Sequence, residues 1–394
     1  MTTDNLKPCC DSCGGLELIP IGIPLGTQLG ARISWCSSCG LLQSFYSRRP
    51  QSRHAPSVSS NANWGNIRHG KGVRVAAIDS HLRRLVPESG PFRVIDIGSN
   101  RGDLCKWLIS RNPDISITAI EPDRSITSTY ADHHQITLFH GKLEEFSIEK
   151  LGNFDLVVNL HSLEHARSAR SMLLTCAQLL VDDGLLLVEV PNAEIIRSED
   201  IVEEFFIDKH SFHFDIHSLK NLFDQSELSF QYLSSTDTLN ITAICSKAST
   251  ESGILDEIEI DAFTGSFKPI LPDEFGVYQE HVLGNRNRLK SVAQRLKNLA
   301  ERQSVAIWGA TRLLDALVVH GGLEPDRFTV IDDYLSGHIS DVHGVRVESS
   351  AFLNHVEVDV VVILARSSES EIRTKARTLG ARHIYSFREL FADS

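Results

Sequence analysis

Residues 92–102 read Phe-Arg-Val-Ile-Asp-Ile-Gly-Ser-Asn-Arg-Gly, and this stretch decides the fold. Phe92–Ile97 is an apolar run of buried-strand length, and the helical pattern Leu104–Arg111 follows it. Between them Gly98 and Gly102 bracket a turn in which the backbone can pass close to a ligand at the head of the helix. The carboxylate of Asp96, just before the turn, opposes a pyrophosphate and suits a cationic ligand. Gly98-x-x-x-Gly102 also lacks the Gly-x-Gly-x-x-Gly order of a dinucleotide loop. Some 19 residues after Gly102 the next strand ends in Glu121-Pro122. An acid at that place is positioned to accept both hydroxyls of a ribose.

The alternation continues outward. Ser116–Ile120, Gln135–His140 and Phe154–Leu160 read as strands, and a helix through Leu180 ends at Asp183-Gly184. Leu185–Val190 is a fifth strand, closed by Pro191; Leu228–Leu233 and Asn240–Ser246 alternate like antiparallel strands. The β-α-β order predicts a doubly wound sheet with ligands at the carboxyl ends of its strands. Ser47–Gly72 reads as a long loop and Val73–Leu85 as a helix leading into the sheet. Asp273–Arg302 is a long polar helix pattern. A second α/β unit starts at Ser304, with strands Val305–Ile307, Phe328–Ile331 and Val358–Leu364 and helices Leu313–His320 and Ser370–Leu379.

Four of the eight cysteines form two knuckles, Cys10-Asp-Ser-Cys13 and Cys36-Ser-Ser-Cys39, each followed by glycine. The two-residue gap lets paired thiolates converge on one tetrahedral ion, and Leu16–Ile23 and Ala31–Trp35 read as a ribbon between the knuckles. Cys10, Cys13, Cys36 and Cys39 are therefore the expected ligands of a structural zinc ion, with Cys9 as a possible substitute for Cys10 and a pair of disulfides as the other reading. An all-thiolate site is closed, so no catalysis is assigned to it. Cys105, Cys176 and Cys245 lie in apolar contexts and are expected in the core.

The expected class is α/β: an N-terminal zinc ribbon and loop (1–72), a central doubly wound Rossmann-like domain (73–248), and a connector helix with a C-terminal Rossmann-like domain (249–394). Apolar residues make up 42% and charged residues 23% of the 394, which is globular composition. The net charge of −12 disfavours nucleic acid as a partner. No apolar run approaches the roughly 18 residues of a membrane helix, and Met1–Pro8 carries no secretory pattern. These features set the expectation of a cytoplasmic protein acting on a small molecule, without a membrane partner; the oligomeric state is not legible.

The central segment resembles the class I S-adenosylmethionine-dependent methyltransferases. Their acidic-x-Gly-x-x-x-Gly loop is matched by Asp96, Gly98 and Gly102, and their ribose acid by Glu121. Gly141-Lys142-Leu143-Glu144 matches their adenine-contacting segment, Asp155–Asn159 their fourth strand, and Leu180–Asn192 their fifth-strand hairpin. The resemblance implies S-adenosylmethionine as cofactor, held by Asp96, Gly98, Asn100, Gly102, Glu121, Lys142, Leu143 and Asn159.

The domain order as a whole resembles the three-domain sugar C-methyltransferases, in which a four-cysteine ribbon precedes the methyltransferase domain and a Rossmann-like domain follows. That resemblance implies a nucleotide-linked deoxysugar, methylated at carbon after proton abstraction by histidine. The family's Tyr-x-Glu-His run falls on Ile207-Asp208-Lys209-His210: the histidine is kept, the tyrosine and glutamate are not. A second family histidine is matched by His165. His165 and His210 are the expected catalytic residues, one as base. His161, Lys209 and Arg312 are the expected substrate contacts, Lys209 by stabilising an oxyanion and Arg312 by holding a phosphate. His161, His165 and His210 also offer a three-histidine metal site, while His213 and His217 read as aromatic packing. The altered motif keeps two alternatives open: O- or N-methylation of another small natural-product or glycan substrate, and a non-catalytic protein that retains the folds.

Overall fold

The computed structural model describes residues 8–47, 71–130, 133–234, 239–247 and 268–392. They form two compact units rather than three domains. The first holds the described residues through Arg197 and Phe205–Gly276; the second holds Ser198–Glu204 and the chain from Val277. The division falls within the helix Glu274–Ala300 and not at residue 249. Most of the expected loop at 47–72 lies outside the described residues.

The ribbon is not a unit of its own because its sheet continues into the rest of the first unit. Strands β1 (Leu18–Gly22), β2 (Ala31–Cys36) and β3 (Leu42–Tyr46) are joined by β9 (Phe212–His213), in the order β1-β2-β3-β9. Leu42 pairs with His213 and Gln43 with Phe212, antiparallel. A short three-stranded ribbon has an unpaired edge, and β9 satisfies part of it. β3 was hidden in the sequence because it leaves the second knuckle with almost no turn signal.

The main sheet has seven strands: β4 (Phe92–Ile97), β5 (Ile115–Ile120), β6 (Ile136–Phe139), β7 (Phe154–Leu160), β8 (Leu180–Pro191), β10 (Leu228–Ser234) and β11 (Asn240–Lys247). Their order is β10-β11-β8-β7-β4-β5-β6, with β11 antiparallel to both neighbours and the rest of the ladder parallel. Leu82, Leu104 and Leu108 pack in the cluster with Val94 and Val158, while Leu173, Leu219 and Phe223 pack in the one with Ile95 and Val157. Neighbouring strand residues point to opposite faces, so both faces are buried. Cys105, Cys176 and Cys245 are fully buried, as expected.

One boundary differs from the sequence reading. The helix Ala169–Leu179 passes directly into β8, and Asp182-Asp183-Gly184 lies within that strand as an irregularity. Phe154 pairs with Leu180 but Leu156 with Leu185, so extra residues are accommodated on β8. A Cβ at Gly184 would lie 2.9 Å from the Phe154 carbonyl oxygen, which is why glycine stands there.

In the second unit β12 (Val305–Trp308), β13 (Thr329–Ile331), β14 (Asp341–Val342), β15 (Val345–Glu348), β16 (Val360–Ile363) and β17 (His383–Ser386) form a sheet of order β14-β15-β13-β12-β16-β17. Its pairings are parallel except the hairpin β14–β15. Among the described residues no helix is long and apolar enough to cross a membrane.

Candidate active site

The path through the main sheet reverses after β6: β4, β5 and β6 step one way, and β7 returns to the other side of β4. The carboxyl ends of β4 and β7 therefore flank the crevice in which open α/β sheets bind ligands. Gly98 (φ 67°), Asn100 (φ 53°) and Gly102 (φ 75°) all adopt left-handed backbone in the loop leaving β4. The packing is as demanding as the dihedrals. A Cβ at Gly98 would lie 2.3 Å from Ser162 Oγ, and one at Gly102 would lie 2.3 Å from the Tyr130 ring. The Tyr130 hydroxyl and Ser99 Oγ are 2.7 Å apart beneath the loop.

Glu121, at the end of β5, closes this loop. Its Oε2 accepts from the Asn100 N–H at 2.8 Å and its Oε1 from the Asp123 N–H at 2.9 Å. Leu143 is buried and Lys142 exposed, after β6. Asp96 and Asn159 are fully buried. Asp96 lies 3.8 Å from the Cys105 thiol, and the Asn159 amide nitrogen donates to Met172 Sδ at 3.3 Å. Both lie near the carboxyl ends of β4 and β7.

Beyond β7 a line of alternating charge crosses the sheet edge. Arg74 grips Glu189 with both ends of its fork, at 2.6 and 2.8 Å. His161 lies between two carboxylates, with Nε2 3.3 Å from Glu189 Oε1 and Nδ1 3.4 Å from Glu164 Oε1. Burial opposes a charge on His161, but contacts with Glu164 and Glu189 outweigh it and raise its pKa to about 9. Burial likewise opposes the Glu164 carboxylate, yet His161 and the neighbouring His165 and His210 hold its pKa down at about 2. Glu189 is lowered to about 2 against its burial by Arg74 and His161. His161 is thus a cation committed to two carboxylates, unlike the substrate contact or metal ligand expected of it.

His165 and His210 do come together, with ring centroids 4.8 Å apart. The Nδ1 of His165 is 2.8 Å from the Lys209 carbonyl oxygen. A carbonyl only accepts, so Nδ1 carries the proton and the Nε2 lone pair remains for chemistry. Lys209 therefore serves the site through its backbone, and its side chain is exposed. Glu164 is buried, with its backbone oxygen accepting from the Ser211 N–H at 2.8 Å. Glu164, Glu189 and Arg74 were missed in the sequence. The available signal was a glutamate inside the apolar run Leu185-Leu186-Leu187-Val188-Glu189-Val190.

The ribbon holds the His210 segment in place. Asp208 accepts from Thr27 Oγ1 (2.5 Å) and from the N–H groups of Gln28 (2.6 Å) and Leu29 (2.9 Å). The Ser44 N–H donates to the Ser211 carbonyl oxygen at 2.9 Å, and Ser44 Oγ lies 2.8 Å from His213 Nε2. His213 is buried against Phe206 and its pKa is pushed well below the usual range by burial and by His210. It packs, as expected.

The sulfurs of Cys10, Cys13, Cys36 and Cys39 lie within 4.8 Å of one another. The pairs Cys10–Cys39 and Cys13–Cys36 are 3.4 and 3.6 Å apart. Tetrahedral zinc with bonds of about 2.3 Å places its sulfurs roughly 3.8 Å apart, so the donor set fits the ion, whereas a disulfide needs about 2 Å. Cys9 is exposed and outside the cluster.

In the second unit Arg312 starts the helix Arg312–Val319 after β12. The Ala310 N–H there donates to Asp332 Oδ2 at 3.1 Å, echoing the Asn100–Glu121 bond. Asp333 pairs with Lys375 at 2.8 Å.

Residues 69–232 match the family model described as a methyltransferase domain. A curated relative, the ubiquinone biosynthesis O-methyltransferase of Maricaulis maris (strain MCS10), is 28% identical over 104 residues, which are 26% of this chain and 41% of that protein. The chain thus spans less than half the length of this curated relative. Similar solved structures include an S-adenosylmethionine-dependent methyltransferase from Mesorhizobium loti, with 14% identity, a TM-score of 0.36 and coverage of 44% of this chain and 100% of that one. Another is from Clostridium acetobutylicum ATCC 824, with 9% identity, a TM-score of 0.35 and coverage of 45% and 91%. The chain carries a class I S-adenosylmethionine-dependent methyltransferase domain. The sugar C-methylation implied by domain order draws no support from these relatives.

Proposed function

We propose that this methyltransferase moves the methyl group of S-adenosylmethionine to a hydroxyl oxygen of a small polar molecule, and that His165 and His210, backed by Glu164, make that oxygen nucleophilic. The observation that carries the reading is the placement of both histidines and the Gly98–Gly102 loop around the switch point of one sheet. Bound S-adenosylmethionine supplies an electrophilic methyl on a sulfonium. The loop orients the donor, and Glu121 receives its ribose hydroxyls. Holding donor and acceptor in line is worth effective molarities on the order of 10⁵–10⁸ M in good cases. The acceptor oxygen forms its bond to the methyl carbon as the carbon–sulfur bond breaks, and the hydroxyl proton leaves at the histidine pair.

Oxygen is preferred to carbon on two grounds. Ile207 and the outward-facing Lys209 replace the tyrosine and glutamate of the sugar C-methyltransferase run. The 28%-identical relative is named as an O-methyltransferase. Carbon methylation of a nucleotide-linked deoxysugar is the second reading, favoured by the proximity of His165 and His210.

Calorimetric titration of the zinc-loaded full chain with S-adenosylhomocysteine tests the donor site. Glu121→Ala should weaken binding about 10- to 100-fold, the worth of a lost charge-assisted hydrogen bond. Failure of the folded protein to bind would overturn the reading. With methyl-¹³C donor and acceptors from hydroxylated aromatics to nucleotide sugars, the product's carbon spectrum separates O-methyl from C-methyl.

A further inference from the structure

We infer that Glu164, His165 and His210 form a binding site for one divalent transition-metal cation. Each contributes one donor atom, and the three lie within 4.8 Å of one another. That is slightly wider than the roughly 3–4 Å between donors on a closed site with bonds near 2.1 Å, so a small inward movement completes it.

Two independent observations point to a ligand. The Glu164 side chain is 1% exposed, and neither carboxylate oxygen accepts a hydrogen bond. Its Oε1 lies 3.4 Å from His161 Nδ1 and 3.9 Å from His165 Nε2. His161 is shared between Glu164 and Glu189, so a cation on the side of Glu164 that faces His165 and His210 would complete the neutralisation of this buried carboxylate. Second, His165 donates Nδ1–H to the Lys209 carbonyl oxygen at 2.8 Å. Metal-binding histidines are oriented in this way, with the second ring nitrogen anchored to a backbone carbonyl and the first free to bind. His165 is 39% exposed and His210 half-buried, so the cluster is reachable from solvent.

The donor set of two imidazoles and one carboxylate suits zinc, iron(II), cobalt or nickel and leaves coordination positions open. It is chemically unlike the all-sulfur ribbon site, which is closed. It also replaces the three-histidine set read from sequence, because His161 is held between Glu164 and Glu189. With the same methyl transfer as in the proposed function, on which this step rests, a cation held here would take over from the histidines in activating the acceptor: the hydroxyl would bind at an open position, its proton would pass to water, and its oxygen would bond to the methyl carbon as the donor's carbon–sulfur bond breaks, releasing S-adenosylhomocysteine.

The test uses the full chain with its ribbon zinc loaded, dialysed against cobalt(II), with metal content measured per chain. Wild type should retain one cobalt beside the ribbon zinc. Glu164→Gln and His210→Ala should weaken cobalt binding by more than the ~10–100-fold that losing an outer-shell partner costs. His217→Ala should not. Each variant's S-adenosylhomocysteine binding reports folding, and His210→Ala, in a half-buried segment, covers the case in which Glu164→Gln does not fold. If wild type binds S-adenosylhomocysteine but holds cobalt no better than His210→Ala, the cation site is overturned and the methyltransferase reading stands. Cobalt bound at the cluster without S-adenosylhomocysteine binding would keep the site and overturn the function.

Discussion

The Tyr46 hydroxyl donates to the His210 carbonyl oxygen over 2.9 Å, so the last residue of the ribbon's third strand holds the backbone of a histidine in the candidate active site. Burial raises the Tyr46 phenol above its usual range, so it stays a donor into alkaline solution as well as at neutral pH. Tyr46→Phe removes this bond. Its expected cost is about 1 kcal/mol of stability and about a tenfold fall in kcat from a displaced His210. S-adenosylhomocysteine binding should be unchanged. Unfolding curves and single-turnover rates check this; an unaltered kcat would show that the ribbon does not position the histidine.

An ion held by Cys10, Cys13, Cys36 and Cys39 would matter well beyond the ribbon. The four cysteines lie in the turn regions that precede β1 and β3, and β3 pairs with β9 beside His210. Cys13→Ser with Cys36→Ser, or stripping with a chelator, should lower the first unit's melting temperature and depress turnover. Binding of S-adenosylhomocysteine, proposed at the Gly98–Gly102 loop, should suffer less. Calorimetric melts with and without metal decide it, and identical melts would count against a structural ion.

Gly102→Ala should be strongly destabilising. The position has φ 75°, and the added carbon would lie 2.3 Å from the buried Tyr130 ring. Backbone strain and overpacking each cost about 1–3 kcal/mol. Thermal denaturation should show a clear loss of stability and titration a loss of donor binding. A variant with wild-type melting and binding would mean that the loop is far looser than this packing.

Stability should fall on the alkaline side because of His161. Its folded pKa of about 9 lies above the unfolded value, so its contribution is complete below about 6.5 and is lost as pH rises through 9. Glu164 and Glu189 have the opposite sign: their contribution is present above about 4.5 and is lost as pH falls toward 2. His213, held neutral by burial, penalises acid in addition, because the unfolded chain takes up its proton first. Denaturant titrations from pH 5 to 10 on wild type and His161→Gln should show a steady gap below about pH 6.5 that closes between about pH 6.5 and 9. Parallel curves across that window would remove the ion-pair line from the account.

Much of the candidate donor site's backbone was readable because it is local. Gly98 and Gly102 are needed for backbone that passes Ser162 and Tyr130, and Glu121 follows at the end of the next strand. The two cysteine knuckles were readable for the same reason, since each pair is a turn apart. The break at Asp182-Asp183-Gly184 was misplaced because turn residues also serve a bulge, and only pairing against Phe154 and Leu156 distinguishes the two.

From sequence alone came the strand-loop-helix grammar of the crevice, the thiolate set of the ribbon and the histidines to watch. These depend on neighbours along the chain, where spacing and periodicity act directly. The tertiary structure decided which groups meet: Glu164 with His165 and His210, His161 between two carboxylates, and Tyr46 against His210. The contacts of His210 with Glu164, His165 and Tyr46, and of His161 with Glu189, join residues far apart in the chain, and they exist only once sheet pairing has brought the ends of β3, β7, β8 and β9 together. Burial then sets the charge of each group, and burial is a property of the packed fold.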